Sequence, residues 1–199
     1  MGILNTNGAS VVHGTRARRI GRSLAAPLAA CLLFIAFVTG LAPRAAAQTE
    51  YDLKAVFLCR FAQYVEWPPA AFADSATPIT IGILGDDPFG KAIEEATAGE
   101  TPQNRKIVIK RFSRIEDLTP CHIVFICRSE KGRLPQVLKT LAGTGTLTVG
   151  ELEQFARQGG MVNFTMQAGK VQFEINPKAA KQVGLKISAQ LLRLAKIVE

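Results

Sequence analysis

Three apolar runs, Ile79 to Leu84, Lys106 to Phe112 and His122 to Cys127, alternate with turn and helical segments, and this alternation dictates a largely parallel sheet with helices packed on it. The first run leads into Gly85-Asp86-Asp87-Pro88, whose acids can cap a helix from Pro88 to about Ala98. A helical turn at Ile115 to Leu118 follows the second run, and a helix from Leu134 to Leu141 follows the third. Thr146 to Val149 reads as a fourth strand and Leu152 to Gln158 as a short helix. Gly159-Gly160 then breaks the chain before Met161 to Met166 and Val171 to Ile175, two runs joined by Gln167-Ala168-Gly169-Lys170 that read as an antiparallel hairpin.

Helices flank this core in sequence. From Tyr51 to Trp67, Phe57, Phe61 and Tyr64 share one stripe with Leu58, Ala62 and Val65 beside it, and Trp67-Pro68-Pro69 ends the helix. Leu185 to Val198 carries Ile187, Leu191, Leu194 and Val198 at helical spacing and reads as a closing helix. The expected fold is α/β: three αβα layers, a mostly parallel sheet and a C-terminal antiparallel hairpin.

Ahead of Gln48 stand Arg16, Arg18, Arg19 and Arg22, then an apolar run from Leu24 to Ala42, then Ala45-Ala46-Ala47. Charged region, apolar region and small-residue site in that order form a secretory signal, so residues 1–47 are expected to be cleaved and 48–199 to form one domain. An uncleaved anchor is the alternative, since the run approaches the roughly 20 residues that span a bilayer, but Pro27, Gly40 and Pro43 weaken it. Lipoprotein processing at Cys31 would need a polar linker, where Leu32 to Val38 is apolar. Losing five arginines and no acid brings the formal charge of +8 down to about +3, a balance that does not point to nucleic acid.

Catalytic inventory is thin. The domain has one histidine, His122, too little for a histidine triad or a two-histidine metal site, and Cys121, His122 and Cys127 lack C-x-x-C spacing. No dinucleotide or P-loop glycine pattern occurs. No catalytic, metal or cofactor site is therefore expected. Cys121 and Cys127 lie six residues apart on one strand, roughly 20 Å if extended, and cannot bridge; a disulfide from Cys59 to Cys121 or to Cys127 remains open, with a buried free thiol the other fate of Cys121. In open α/β sheets ligands bind beyond the carboxyl ends of parallel strands, which places Gly85, Asp86, Arg128 and Ser129 around a candidate crevice. Phe57, Phe61, Tyr64 and Trp67 form an aromatic stripe that serves either as helix-on-sheet core or as a partner surface.

Lys54-Ala55 through Phe57-Leu58 and Phe61 to Val65-Glu66-Trp67-Pro68 resembles the opening helix of the YfiR-like periplasmic proteins. Later blocks agree in order: Pro78 to Gly85 with Asp87-Pro88-Phe89-Gly90, Cys121 to Ile126, Leu147-Thr148-Val149-Gly150, Gly159-Gly160-Met161-Val162-Asn163-Phe164, Val171 to Asn176, and Gly184 to Ser188 with Leu191 to Ala195. The resemblance implies a periplasmic, non-enzymatic regulator that represses an inner-membrane diguanylate cyclase by binding its periplasmic part, lowering cyclic di-GMP and biofilm formation. Some proteins of that kind are homodimers, and they use redox-responsive disulfides, although the Gly160 to Phe173 segment here contains no cysteine. The competing reading is a periplasmic module that binds a small ligand at the Asp86 and Arg128 crevice.

Overall fold

A computed structural model describes residues 42–198, so the leader expected over 1–47 lies almost wholly outside the described residues. In chain order the elements are α1 (Ala42–Tyr64), β1 (Val65–Glu66), β2 (Ile79–Leu84), α2 (Ala92–Thr97), β3 (Ile107–Phe112), β4 (Ile123–Ile126) and α3 (Leu134–Leu141). Then come β5 (Leu147–Gly150), β6 (Val162–Gln167), β7 (Lys170–Ile175), α4 (Pro177–Gln182), β8 (Lys186–Ile187), α5 (Ala189–Leu192) and β9 (Lys196–Ile197). Among the described residues no helix is long and apolar enough to cross a membrane.

Seven strands form one sheet in the order β3-β2-β4-β5-β6-β7-β9, parallel throughout except for the antiparallel β6–β7 pair. A separate two-stranded sheet pairs β1 with β8. The central strands β2 and β4 are buried at every position, which is why both read as unbroken apolar runs rather than alternating ones. Their side chains still divide by the period of two. Ile79, Ile81, Ile83, Ile123 and Phe125 face a core shared with α1 and α2, while Val124, Ile126 and Leu84 face a second core with Leu134, Val137 and Leu141 of α3. Helices thus cover both faces, the αβα layering the sequence leads one to expect.

The β6–β7 connection is tighter than expected. Gln167 and Lys170 pair as the last rung, leaving Ala168 and Gly169 alone in the turn, at φ 48° and 74°. Positive φ at both central residues is the hairpin turn whose twist matches the strands.

Three local expectations are corrected. Leu152 to Gln158 is a run of turns, not a helix, and Phe155 drops from it into the second core with its ring between two glycines. A Cβ on Gly150 would lie 2.7 Å from that ring and one on Gly160 only 2.1 Å, so the glycine break serves a close approach as well as a turn. The helix after β2 is confined to α2; Asp87 still caps the chain there by accepting the Phe89 amide at 2.7 Å, ahead of the helix proper. The closing helix over Leu185 to Val198 is replaced by β8, α5 and β9. Ser188 interrupts it by capping α5 through the Leu191 amide at 3.2 Å. Backbone demand on either side decides the rest: β8 pairs β1, and β9 pairs the otherwise open edge of β7.

Candidate functional site

α1 brings the sequence's aromatic stripe to the sheet. Phe61 is 0% and Trp67 7% exposed, so these two belong to the core and not to a free surface, which corrects half of the stripe as a partner site. Phe61 stacks on Phe164 at 5.7 Å and meets Phe173 edge-on at 5.5 Å, fastening α1 to the β6–β7 hairpin. Phe57 and Tyr64 are half-buried at the margin of the helix. Among the described apolar side chains of α1, Leu53 and Val56 are presented to solvent, each 43% exposed. With Phe57 and Tyr64 they recur at helical spacing as one apolar line. The sequence reading missed Leu53 and Val56 because the stripe was defined by its aromatic members.

The carboxyl ends of the parallel strands meet α1 at Glu50, Tyr51 and Lys54. Gly85, Asp86 and Ser129 do come together there: the Asp86 amide donates to Ser129 Oγ at 2.9 Å, and a Cβ on Gly85, at φ 99°, would lie 2.3 Å from the same oxygen. That close packing leaves no crevice between them. Behind it Tyr51 of α1 sits edge-on to Phe89 at 5.6 Å, and Phe89 to Phe125 at 4.8 Å, filling the strand switch point with aromatic rings. Arg128 does not join this group but turns toward Glu151, at 3.3 Å, and Glu50, at 3.6 Å.

Arg128 thereby caps a buried charge cluster with no local signature in the sequence. Lys54 Nζ, on a side chain 1% exposed, pairs with Glu50 and with Glu151, whose side chain is 2% exposed. Tyr51 Oη donates to Glu151 Oε1 at 3.0 Å, and burial together with that carboxylate holds the phenol pKa well above its ordinary value, so Tyr51 remains a donor. Two cations balance two carboxylates. A cavity of about 380 Å³ opens beside the cluster, bordered by Arg128, Glu151, Arg157, Asn163 and Met166.

His122 has both ring nitrogens committed to backbone: Nδ1 accepts the Thr80 amide at 3.1 Å and Nε2 lies 3.2 Å from the Ala71 carbonyl, which fixes the neutral tautomer with its proton on Nε2. Burial lowers its pKa from the ordinary 6.5. A base whose folded pKa is depressed binds more protons when unfolded, so its contribution is complete above about pH 6.5 and is lost as pH falls through that value toward the folded pKa. The unfolding midpoint in urea is expected to drop between about pH 7 and pH 5, and the His122→Asn variant to lose that part of the drop. An identical pH profile in the variant would remove His122 as its source.

All three cysteines of the described chain are free and buried, so the bridge from Cys59 to Cys121 or Cys127 is not formed. Cys121 faces the second core, across the sheet from α1. Cys127 shares the α1 face but lies near Glu151 and Asp87, while Cys59 is five residues, about 7 Å, farther along the helix than the Lys54 that reaches Glu151. Burial raises all three thiol pKa values, Cys121 to about 11. The native protein is expected to resist iodoacetamide at neutral pH at these three sites, with alkylation following only on unfolding. Rapid alkylation of the native fold, read by mass spectrometry, would contradict this burial.

Among the described residues no group of three or more histidines, cysteines and carboxylates is placed to hold a metal ion. A family model described as YfiR/HmsC-like matches residues 51–196. No curated protein matches the chain. Among solved structures, the ABC domain in complex with L-Trp from Streptococcus pneumonia is similar with a TM-score of 0.52 at 11% identity, covering 72% of this chain and 60% of that one. A conserved domain protein from Vibrio cholerae O1 biovar El Tor gives a TM-score of 0.46 at 12% identity, over 61% of this chain and 55% of that one. At such identity the first likeness concerns the fold alone, and this chain spans about three fifths of that structure's length.

Proposed function

Because this chain belongs to the YfiR/HmsC-like family across residues 51–196, we propose that it is a non-enzymatic regulator that represses an inner-membrane diguanylate cyclase by binding its periplasmic part. Its effect is to lower cyclic di-GMP and biofilm formation. Family membership supports a periplasmic regulatory role in cyclic di-GMP signalling, exerted through a membrane-bound partner. Export follows from the leader at residues 1–47, removed after Ala47 to leave the working domain 48–199. The working unit is a homodimer, checked by sedimentation equilibrium.

The observation that carries the reading is the family match over nearly the whole described domain. What supports a place for the partner is the exposed apolar line of Leu53 and Val56 on α1, flanked by Phe57 and Tyr64. The aromatic stripe thus contributes its margin to the partner surface, with the buried Phe61 packed against Phe57 from the core side.

A tagged mature protein incubated with detergent-solubilised membranes should retain a diguanylate cyclase. Because the thiols are free and buried, retention should be the same with and without reductant. Retention of no membrane protein under either condition would overturn the proposal.

A further inference from the structure

At the opposite end of the parallel strands, where they begin, lies a cavity of about 310 Å³. Its wall is built by Trp67 and Ala71 from the segment after α1, by Leu118, Pro120 and His122 leading into β4, and by Leu141 at the end of α3. The volume falls at the lower end of the range of small-molecule pockets, roughly 300–1,000 Å³, and exceeds several times the roughly 30 Å³ share of one water.

The lining is selective by what it withholds. None of the residues around the cavity carries a carboxylate, an ammonium or a guanidinium. Most of its polar side chains bond within the protein: Trp67 Nε1 donates to the His122 carbonyl at 3.2 Å, Thr146 Oγ1 to the Cys121 carbonyl at 2.8 Å and Thr144 Oγ1 to the Leu141 carbonyl at 2.8 Å, while Thr119 Oγ1 accepts from Lys110 Nζ at 3.3 Å. The His122 ring is tied to Thr80 and Ala71 as described, and both it and the Cys121 thiol are neutral near pH 7. The exposed Lys110 ammonium reaches the lining only at Thr119; a charged occupant seated against Trp67, Pro120 and Leu141 would be desolvated with no counter-charge on that wall, whereas an apolar one gains dispersion contacts along it.

We propose that this cavity is a binding site for a compact, uncharged, predominantly apolar small molecule, recognised by shape and apolar area against Trp67, Leu118, Pro120 and Leu141. The site is separate from the exposed line on α1 and independent of the regulatory reading. Trp67 is the sole tryptophan in the sequence, so its emission reports on the cavity directly.

Adamantanol and adamantanecarboxylate share one cage and differ in charge, and both are optically silent. Adamantanol at about 100 times its dissociation constant is expected to raise the melting temperature by about 5–10 °C and to shift the Trp67 emission. Adamantanecarboxylate should do neither. Ala71→Phe and Thr140→Phe fill the cavity from two sides and should abolish the response; Thr140 is an exposed helix position, so that variant retains the fold even where Ala71→Phe does not. No response of the unmodified protein to adamantanol, an equal response to the carboxylate, or a full response in a folded, filled variant would each overturn the proposal.

Discussion

Replacing Lys54 with alanine is expected to lower the unfolding free energy by about 3–5 kcal/mol, because it leaves the Glu151 carboxylate buried without its principal partner. Burying a charge is tolerable only when a counter-charge and hydrogen bonds replace the lost water. Glu151 has Lys54 Nζ at 2.5 Å and the Tyr51 hydroxyl at 3.0 Å. Arg128 also reaches Glu151, at 3.3 Å, but its side chain is 60% exposed, so it gives up little when removed. Arg128→Ala alone should cost no more than about 1 kcal/mol, the scale of a solvent-screened pair. The asymmetry between the two variants is the test: in urea, Lys54→Ala should shift the midpoint by roughly 2 M and Arg128→Ala by roughly 0.5 M or less. Pairing Lys54→Met with Glu151→Gln removes both charges while keeping an acceptor for Tyr51, and it should recover most of the loss. If Lys54→Ala costs under about 1 kcal/mol, Arg128 or solvent replaces the ammonium and Lys54 is not the principal partner of Glu151.

Phe61→Asp is expected to unfold the protein outright. Truncating a buried phenylalanine costs about 3–5 kcal/mol, and an unpaired carboxylate between Phe164 and Phe173 adds several more, together comparable with a whole domain's stability of about 5–15 kcal/mol. Val56→Asp and Tyr64→Asp lie on the exposed and half-buried side of the same helix, and at Val56 the change should stay within about 1 kcal/mol. The partner reading therefore rests on these two variants and not on Phe61. Each should keep the cooperative unfolding transition and circular dichroism of the parent while retaining at least tenfold less cyclase from solubilised membranes. Full retention by both, with the fold intact, would move the partner surface off α1.

The contrast between Phe61 and Val56 shows how far a helical stripe can be read. Periodicity marks which residues share a face, and it correctly drew Phe57, Phe61 and Tyr64 together. It does not say how deep the neighbouring elements bury that face. Phe61 lies under the β6–β7 hairpin, contributed by residues about a hundred positions downstream; Phe57 meets the same Phe164 and Phe173 rings, at 6.1 and 5.2 Å, yet stays half-buried, while Val56 beside it is exposed. At the C-terminus the same periodicity misled: Ile187, Leu191, Leu194 and Val198 have helical spacing, yet the open edges of β1 and β7 claim the flanking backbone for strands. Leu194 and Ile197 are left exposed as a result.

By itself the sequence determined the alternation of strand and helix, the burial of β2 and β4 on both faces, the hairpin after the double glycine and the family. Each of these is carried by near neighbours, through side-chain period, turn chemistry or an unbroken motif. Tertiary structure alone decided which charges meet and where space remains. Lys54 and Glu151 stand 97 residues apart and become partners only because α1 runs back across the carboxyl ends of the strands. The same placement sets Tyr51 against Phe89 near the carboxyl ends of the strands, while the apolar cavity survives where the strands begin, bordered by the side chains of Trp67, His122 and Leu141.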